Sequence, residues 1–242
     1  MRRLLLYKTG ETDRQLVCDI GDYEAWFGRV LGEACTLEMH RAFEAPHHRI
    51  EGYDGLLITG SPRSLVEPEP WMDDAAAFVR KAASAGVPVL GVCFGHQLLG
   101  YAYGGRVRMN PNGWEVGTVE VDLTDEGRRD PLFDGLPARL RVNQSHRDEV
   151  WELGETRRLA SGAHTPNQSL AAGEHVRGVQ FHPEMNGVVI RRLINHRRAI
   201  LHADVLQRGR AVTVDGLLAE AADTPDAEKV LQNFARHFVK AA

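Results

Sequence analysis

The feature that most constrains this chain is the stretch Val87–Gly100, VPVLGVCFGHQLLG. Its first half carries Val87, Val89, Leu90 and Val92, a short apolar run of the kind that forms a buried strand. Pro88 stands near the start of that run, where a strand tolerates it. The segment that follows has helical spacing, with Leu98, Leu99, Tyr101 and Ala102 on one side. Between the two lies Gly91-Val92-Cys93-Phe94-Gly95, with a glycine two positions to either side of a cysteine. That is the pattern of a sharp strand-to-helix turn, and glycine flanks let the backbone bend where a Cβ would clash. The turn lifts Cys93 onto the N-terminal end of a helix, where unpaired amides and the helix dipole favour a thiolate. The Phe94 amide points at the same place and can donate to an oxyanion. Taken alone, Cys93 fits a buried, unreactive thiol better, since such cysteines are common.

A second piece downstream changes that balance. Val176–Phe181 has the pattern of a strand and runs into His182-Pro183-Glu184. Residues two apart on an extended chain face the same side, so His182 and Glu184 project together, with Pro183 stiffening the backbone between them. Glu184 can accept from one ring nitrogen and fix the tautomer, leaving the other nitrogen for a partner. A cysteine, a histidine and an orienting carboxylate form the triad for thiol attack on an acyl group.

These two segments, Gly91-Val92-Cys93-Phe94-Gly95-His96-Gln97 and Phe181-His182-Pro183-Glu184, resemble the paired signatures of the class I, triad-type glutamine amidotransferases, in their stand-alone GMP-synthase-glutaminase-like form. The likeness runs over about the first three-quarters of the chain. It implies Cys93 as nucleophile, His182 as general base and then acid, and Glu184 as its orienter. It also implies that Thr59-Gly60-Ser61-Pro62 is the oxyanion loop, with a serine where the family often has a second glycine. Gly60 or Ser61 then supplies the second amide beside Phe94. Gln97, one turn along from Cys93, is placed by the resemblance in contact with substrate. Asn143–Val150 is similar to the Ser-His-x-Asp segment that lines the glutamine pocket, which puts Ser145 and His146 on the substrate side. For His146 a purely structural role stays open.

The rest of the chain fits an α/β fold, a doubly wound and mostly parallel sheet flanked by helices. Strands are predicted over Arg2–Tyr7, Cys35–Met39 and Gly55–Thr59, with a helix over Tyr23–Leu31 between the first two. Ligands in such sheets gather beyond the carboxyl ends of strands, where Gly60-Ser61 and Cys93 both lie. Pro68–Trp71 is expected as a loop and Met72–Ser84 as a helix. Gly117–Leu123 has the alternation of a half-solvated strand, and Asp125–Pro137 is rich in loop signals. Arg157–Ala163, Ser169–Ala172 and Val176–Phe181 are expected to form an antiparallel extension. Gly187–Leu206 has the pattern of one or two amphipathic helices, and Ala227–Val239 of another, with Asp226 as its cap. The basic residues Arg191, Arg192, His196, Arg197 and Arg198 have the pattern of a solvated face. With no repeat and no linker in its 242 residues, the chain is expected to be one domain with a C-terminal helical extension from about residue 187.

Composition excludes some function classes. The net charge of −4 argues against a nucleic-acid surface. No apolar run reaches the ~20 residues of a membrane span, and Arg2-Arg3 before Leu4–Leu6 makes no convincing signal peptide. Three cysteines without CxxC spacing, Cys18, Cys35 and Cys93, fit a reducing cytoplasm better than a disulfide framework or a zinc site. No phosphate-binding glycine motif is present, and His47-His48 has no metal-ligand spacing, so no cofactor is expected. The expected ligand is glutamine or a γ-glutamyl compound. The resemblance leaves three outcomes open: glutaminase delivering ammonia to a separate synthetase subunit, hydrolase of γ-glutamyl peptides related to glutathione, or non-catalytic regulatory subunit with the same fold.

Overall fold

In the computed structural model, residues 1–46, 49–208 and 212–240 are described. His47 and His48 lie outside them. The strands are β1 (Arg2–Lys8), β2 (Cys35–Arg41), β3 (Gly55–Ile58), β4 (Val89–Val92), β5 (Arg106–Met109), β6 (Glu115–Leu123), β7 (Arg139–His146), β8 (Asp148–Glu152), β9 (Arg157–Ser161), β10 (Ser169–Ala172) and β11 (Val176–Val179). The helices are α1 (Arg14–Ile20), α2 (Tyr23–Leu31), α3 (Pro70–Ser84), α4 (Phe94–Ala102), α5 (Gly187–His196), α6 (Arg198–Arg208), α7 (Val214–Glu220) and α8 (Pro225–Asn233).

The main sheet has nine strands in the order β2-β1-β3-β4-β11-β10-β9-β6-β7, and β5 pairs with β8 in a small antiparallel ribbon. The first five strands are parallel to one another. The central strands are apolar along their whole length because both faces are covered. Leu4, Leu6, Leu57, Leu90 and Val92 face Phe27 and Leu31 of α2 and Val230 and Leu231 of α8. Leu5, Leu56, Ile58 and Val89, one residue out of phase, face Phe78 and Val79 of α3 and Leu98 and Leu99 of α4. The side-chain alternation of a strand thus sorts the two cores.

Three expectations need correction. Val176–Val179 is not wholly part of the antiparallel extension: β11 pairs antiparallel with β10 but parallel with β4, so it is the hinge between the two halves of the sheet. The loop expected over Pro68–Trp71 gives way at Pro70, the first residue of α3, because proline's fixed φ suits a helix start. The last helix is capped by Thr224 rather than Asp226, with Pro225 in the first turn, and it ends at Asn233 in a single π turn over Phe234–Phe238. Gly187–Leu206 forms two helices, broken at Arg197. Among the described residues no helix is long and apolar enough to cross a membrane.

A buried cation braces the end of the sheet. Lys8, at the carboxyl end of β1, is 1% exposed. Its Nζ lies 2.7 Å from both Asp22 and Glu24. Asp22 also accepts from the backbone amides of Thr12 and Tyr23, so the Lys8–Asp22 pair ties the Thr9–Asp13 loop to the start of α2. Removing one partner of such a pair leaves the other charge buried and unpaired. Lys8→Met is therefore expected to cost about 3–5 kcal/mol of stability, read as a lower midpoint in urea unfolding.

Candidate active site

β4 ends at Val92, and the chain turns at once into α4. Cys93 sits at the turn with φ 53° and ψ −102°, and among the described residues it is the one non-glycine with a positive φ. Strain of this kind persists where the surroundings fix it. Here the Cys93 amide donates to the Val179 carbonyl at 2.9 Å, and the Cys93 carbonyl accepts from the Gln97 amide at 3.0 Å. The two flanking glycines are needed for close approach rather than for unusual dihedrals. A Cβ on Gly91 would stand 2.4 Å from the Gly95 carbonyl oxygen, and one on Gly95 would stand 2.6 Å from the Ile58 carbonyl oxygen. Gly95→Ala is expected to cost about 1–3 kcal/mol through overpacking. Gly28→Ala in α2, where a Cβ meets nothing within 4 Å, is expected instead to stabilise by up to about 1 kcal/mol. Thermal melts of the two variants check the contrast.

His182 follows β11 and is anchored by its amide, which donates to the Asn143 carbonyl at 2.8 Å. The ring is 2% exposed, and its Nδ1 lies 2.7 Å from Oε1 of Glu184, which is fully buried. The other carboxylate oxygen of Glu184 has no protein partner. Burial alone would push the imidazole's pKa down. The charges of Glu184 and Cys93 outweigh it and hold His182 at about 10. The imidazolium is therefore the resident form at neutral pH.

The loop after β3 presses on the same ring. A Cβ on Gly60 would come within 2.9 Å of the His182 Cε1 atom and 3.2 Å of the Tyr23 ring. The Gly60 carbonyl accepts from the buried hydroxyls of Thr9 and Thr59 at 3.1 and 2.8 Å. In a planar trans peptide the following N–H points the opposite way, so the Ser61 amide is turned from the threonine pair. The Ser61 hydroxyl is spent on the Thr9 carbonyl at 2.9 Å.

A cleft opens over Cys93 in two lobes. One, of about 370 Å³, is lined by Glu11, Thr12, Asp13, Tyr23, His182 and Arg197, among others. The other, of about 270 Å³, is lined by Gln97, Trp114, His146, Asp148 and again Arg197, among others. Ser61, Pro62, Cys93, Ser145 and Arg197 border both.

Several expected substrate contacts lie at this cleft but are engaged elsewhere. The Gln97 side-chain nitrogen donates to the Asp148 carbonyl at 2.9 Å and to Gln180 at 3.2 Å. His146 is buried, with Nδ1 2.9 Å from the Asp148 carbonyl and Nε2 2.9 Å from Glu115. Both ring nitrogens face acceptors within the protein, so neither is open to a ligand. The ring steadies the Asp148 backbone together with Gln97. Ser145 reaches the cleft, and its hydroxyl accepts from Arg197. Arg197 departs from the solvated face expected of its neighbours: Arg191, Arg192, His196 and Arg198 are exposed, whereas Arg197 is turned inward. Tyr23 also borders the site, though no motif marks it. Burial, with Cys93 nearby, holds its phenol well above its ordinary pKa, so it stays protonated.

The sequence model of "Glutamine amidotransferase class-I" matches residues 19–194, which include every residue of the Cys93, His182 and Glu184 group. The chain belongs to this family. Among relatives, it is 35% identical over 144 residues to a GMP synthase [glutamine-hydrolyzing] subunit of Saccharolobus solfataricus, covering 58% of this chain and 72% of the relative. It is 26% identical over 194 residues to gamma-glutamyl peptidase 5 of Arabidopsis thaliana, covering 79% and 75%. In structure, it is similar to a glutamine amidotransferase from Thermotoga maritima, with a TM-score of 0.72, 18% identity and 99% of both chains covered. A glutamine amido transferase from Methylobacillus flagellatus gives a TM-score of 0.75 at 21% identity, covering all of this chain and 96% of the other. These structures carry the fold, a mostly parallel sheet between helices.

Proposed function

We propose that this amidotransferase-family chain hydrolyses γ-glutamyl amide bonds through a thioester on Cys93. The observation that carries the reading is that the strained Cys93 elbow and the imidazole that Glu184 orients at 2.7 Å line one lobe of the cleft, with the thiol hydrogen-bonded to the ring. The Cys93 thiolate attacks the γ-carbonyl carbon, forming an S–C bond. The amides of Phe94 and Ser61 hold the oxyanion. His182 then delivers its proton to the departing nitrogen as the C–N bond breaks. Water, losing a proton to His182, cleaves the thioester, and glutamate leaves with the thiolate restored.

We further propose that the leaving group is larger than ammonia. The general acid faces the leaving group, so the lobe that contains His182 receives it. That lobe, at about 370 Å³, is roughly ten times the ~30 Å³ that one small molecule such as water occupies. A γ-glutamyl peptide or amine fits such a space, in keeping with the gamma-glutamyl peptidase relative. The likeness to a GMP synthase subunit favours a second reading, in which glutamine is cleaved and a partner synthetase covers this lobe and takes the ammonia. The helices from residue 187 onward are proposed to belong to the same domain. Asn233 of α8 donates to the carbonyls of Leu132 and Asp134, and Arg29 of α2 pairs with Glu228. The compartment is proposed to be the cytoplasm, on the cysteine pattern.

Glutamate release from γ-glutamyl dipeptides and from glutamine, side by side, tests the choice. Faster release from dipeptides supports the first reading. Turnover of glutamine alone, rising when a synthetase is added, would replace it with the second.

A further inference from the structure

We propose that Arg197 anchors the α-carboxylate of the γ-glutamyl group, and that the helical extension thereby sets which acyl groups reach Cys93. The proposal rests on the γ-glutamyl reading above. The family match ends at residue 194, so Arg197, at the break between α5 and α6, lies beyond the portion shared with the family model.

Its direct side-chain contacts are uncharged. The guanidinium stacks over the Trp114 ring, 5.4 Å from the centroid, and donates from Nη1 to the Ser145 hydroxyl. Neither group carries a negative charge. Among the described residues no carboxylate pairs with it, although Arg198 beside it pairs with Asp215 at 2.8 Å. Burial lowers its pKa, and only Tyr23 and Cys93 act against that. A guanidinium has five donors in a planar fork that matches a carboxylate. One that borders the cleft beside Cys93 with no carboxylate partner is placed to take an anionic ligand.

The geometry also indicates which anion. The leaving group occupies the lobe with His182, whose wall includes the acids Glu11 and Asp13. The acyl part then occupies the opposite lobe, with Gln97 and Trp114. Trp114 borders this lobe alone, and Arg197, which borders both, lies over its ring, within reach of the acyl side. The α-carbon of a γ-glutamyl group lies a few bonds from the carbonyl under attack and bears both a carboxylate and an ammonium. Asp148, partly buried in the same lobe with its carboxylate 2.5 Å from the Ser64 hydroxyl, offers a counter-charge for the ammonium.

Two measurements on full-length protein test this. The first compares wild type, Arg197→Met and Arg197→Lys on glutamine or the best γ-glutamyl dipeptide, and on 4-aminobutanamide, which is glutamine without its α-carboxylate. Losing a charge-assisted hydrogen bond should lower kcat/KM for the carboxylate-bearing substrate about 10- to 100-fold in Arg197→Met, mostly through KM. The same substitution should alter cleavage of 4-aminobutanamide by less than about two-fold, because the two changes remove one interaction. Arg197→Lys, which keeps the charge, should recover part of the loss. Equal losses on both substrates would overturn the proposal.

The second measurement does not depend on turnover. Iodoacetate and iodoacetamide alkylate Cys93, with exposed Cys18 as an internal reference thiol, and mass spectrometry reads each site. In wild type the preference for the anionic reagent should be greater at Cys93 than at Cys18, and Arg197→Met should abolish much of the difference. An unchanged ratio, or equal slowing of both reagents, would overturn the anchor. Failure of wild type to hydrolyse any γ-glutamyl compound, with the ratio still dependent on Arg197, would instead count against the proposed reaction and leave the anion site standing.

Discussion

Cys93→Ala is expected to lower kcat for γ-glutamyl amide hydrolysis by about four orders of magnitude or more, with the fold intact. The reaction passes through a covalent bond to sulfur, and no second thiol can substitute: Cys35 is buried in the α2 core and Cys18 is exposed on α1. Alanine is the appropriate probe because it keeps a Cβ at the strained position while deleting the nucleophile. The backbone that fixes the turn, with Val179, Gln97 and Thr59 as partners of the Cys93 and Gly95 peptide groups, does not involve the side chain. Circular dichroism and a thermal melt should therefore match wild type, while glutamate release falls to background. A variant that retains more than a few per cent of turnover would show that another group attacks the substrate.

Glu184→Gln is expected to lower kcat by about 10³- to 10⁴-fold. The carboxylate accepts the Nδ1 proton of His182 and stabilises the imidazolium. A glutamine amide can instead donate to Nδ1, which places the ring proton on Nε2 and removes the base that must take a proton from water. The pH profile gives an independent readout. His182 is held at about 10, against its burial, by Glu184 and Cys93, so wild-type activity should persist into alkaline solution and fall as pH rises through about 10. Without the Glu184 charge, burial prevails and that limb moves to lower pH. The same shift links to folding. The folded pKa lies above the ordinary 6.5, so the ion pair's stabilisation is complete below about 6.5 and is lost as pH rises through about 10. Urea unfolding across that range should show the alkaline decline in wild type and a smaller one in Glu184→Gln. An unmoved alkaline limb would assign it to a different group.

The sequence made the centre of this site legible because its chemistry is local. The glycines flanking Cys93 stand where a Cβ would come within 2.4–2.6 Å of a backbone carbonyl oxygen, and the two-residue spacing of His182 and Glu184 brings them together although β11 ends at Val179 and the pair lies in the turn beyond it. Features that depend on distant partners were not legible. The pairing of β11 with β4 is parallel across a long separation, and nothing within Val176–Phe181 signals it. His146 sits in a segment that suggests substrate contact, yet its partners are Glu115 and the Asp148 backbone. Arg197 is one of several basic residues in a row. Only the break between α5 and α6 turns it inward while Arg198 faces Asp215. The short helices α1 and α7 lacked a long apolar period, although their caps, Asp13 and Thr213, stand in the sequence.

The most direct test of the account is acid-quenched mass spectrometry of the protein mixed with a γ-glutamyl dipeptide at high concentration. A γ-glutamyl adduct on the peptide that contains Cys93, absent in Cys93→Ala and decaying at the rate of glutamate release, is the predicted result. Steady glutamate release with no adduct at Cys93, or with the adduct on another residue, would contradict it.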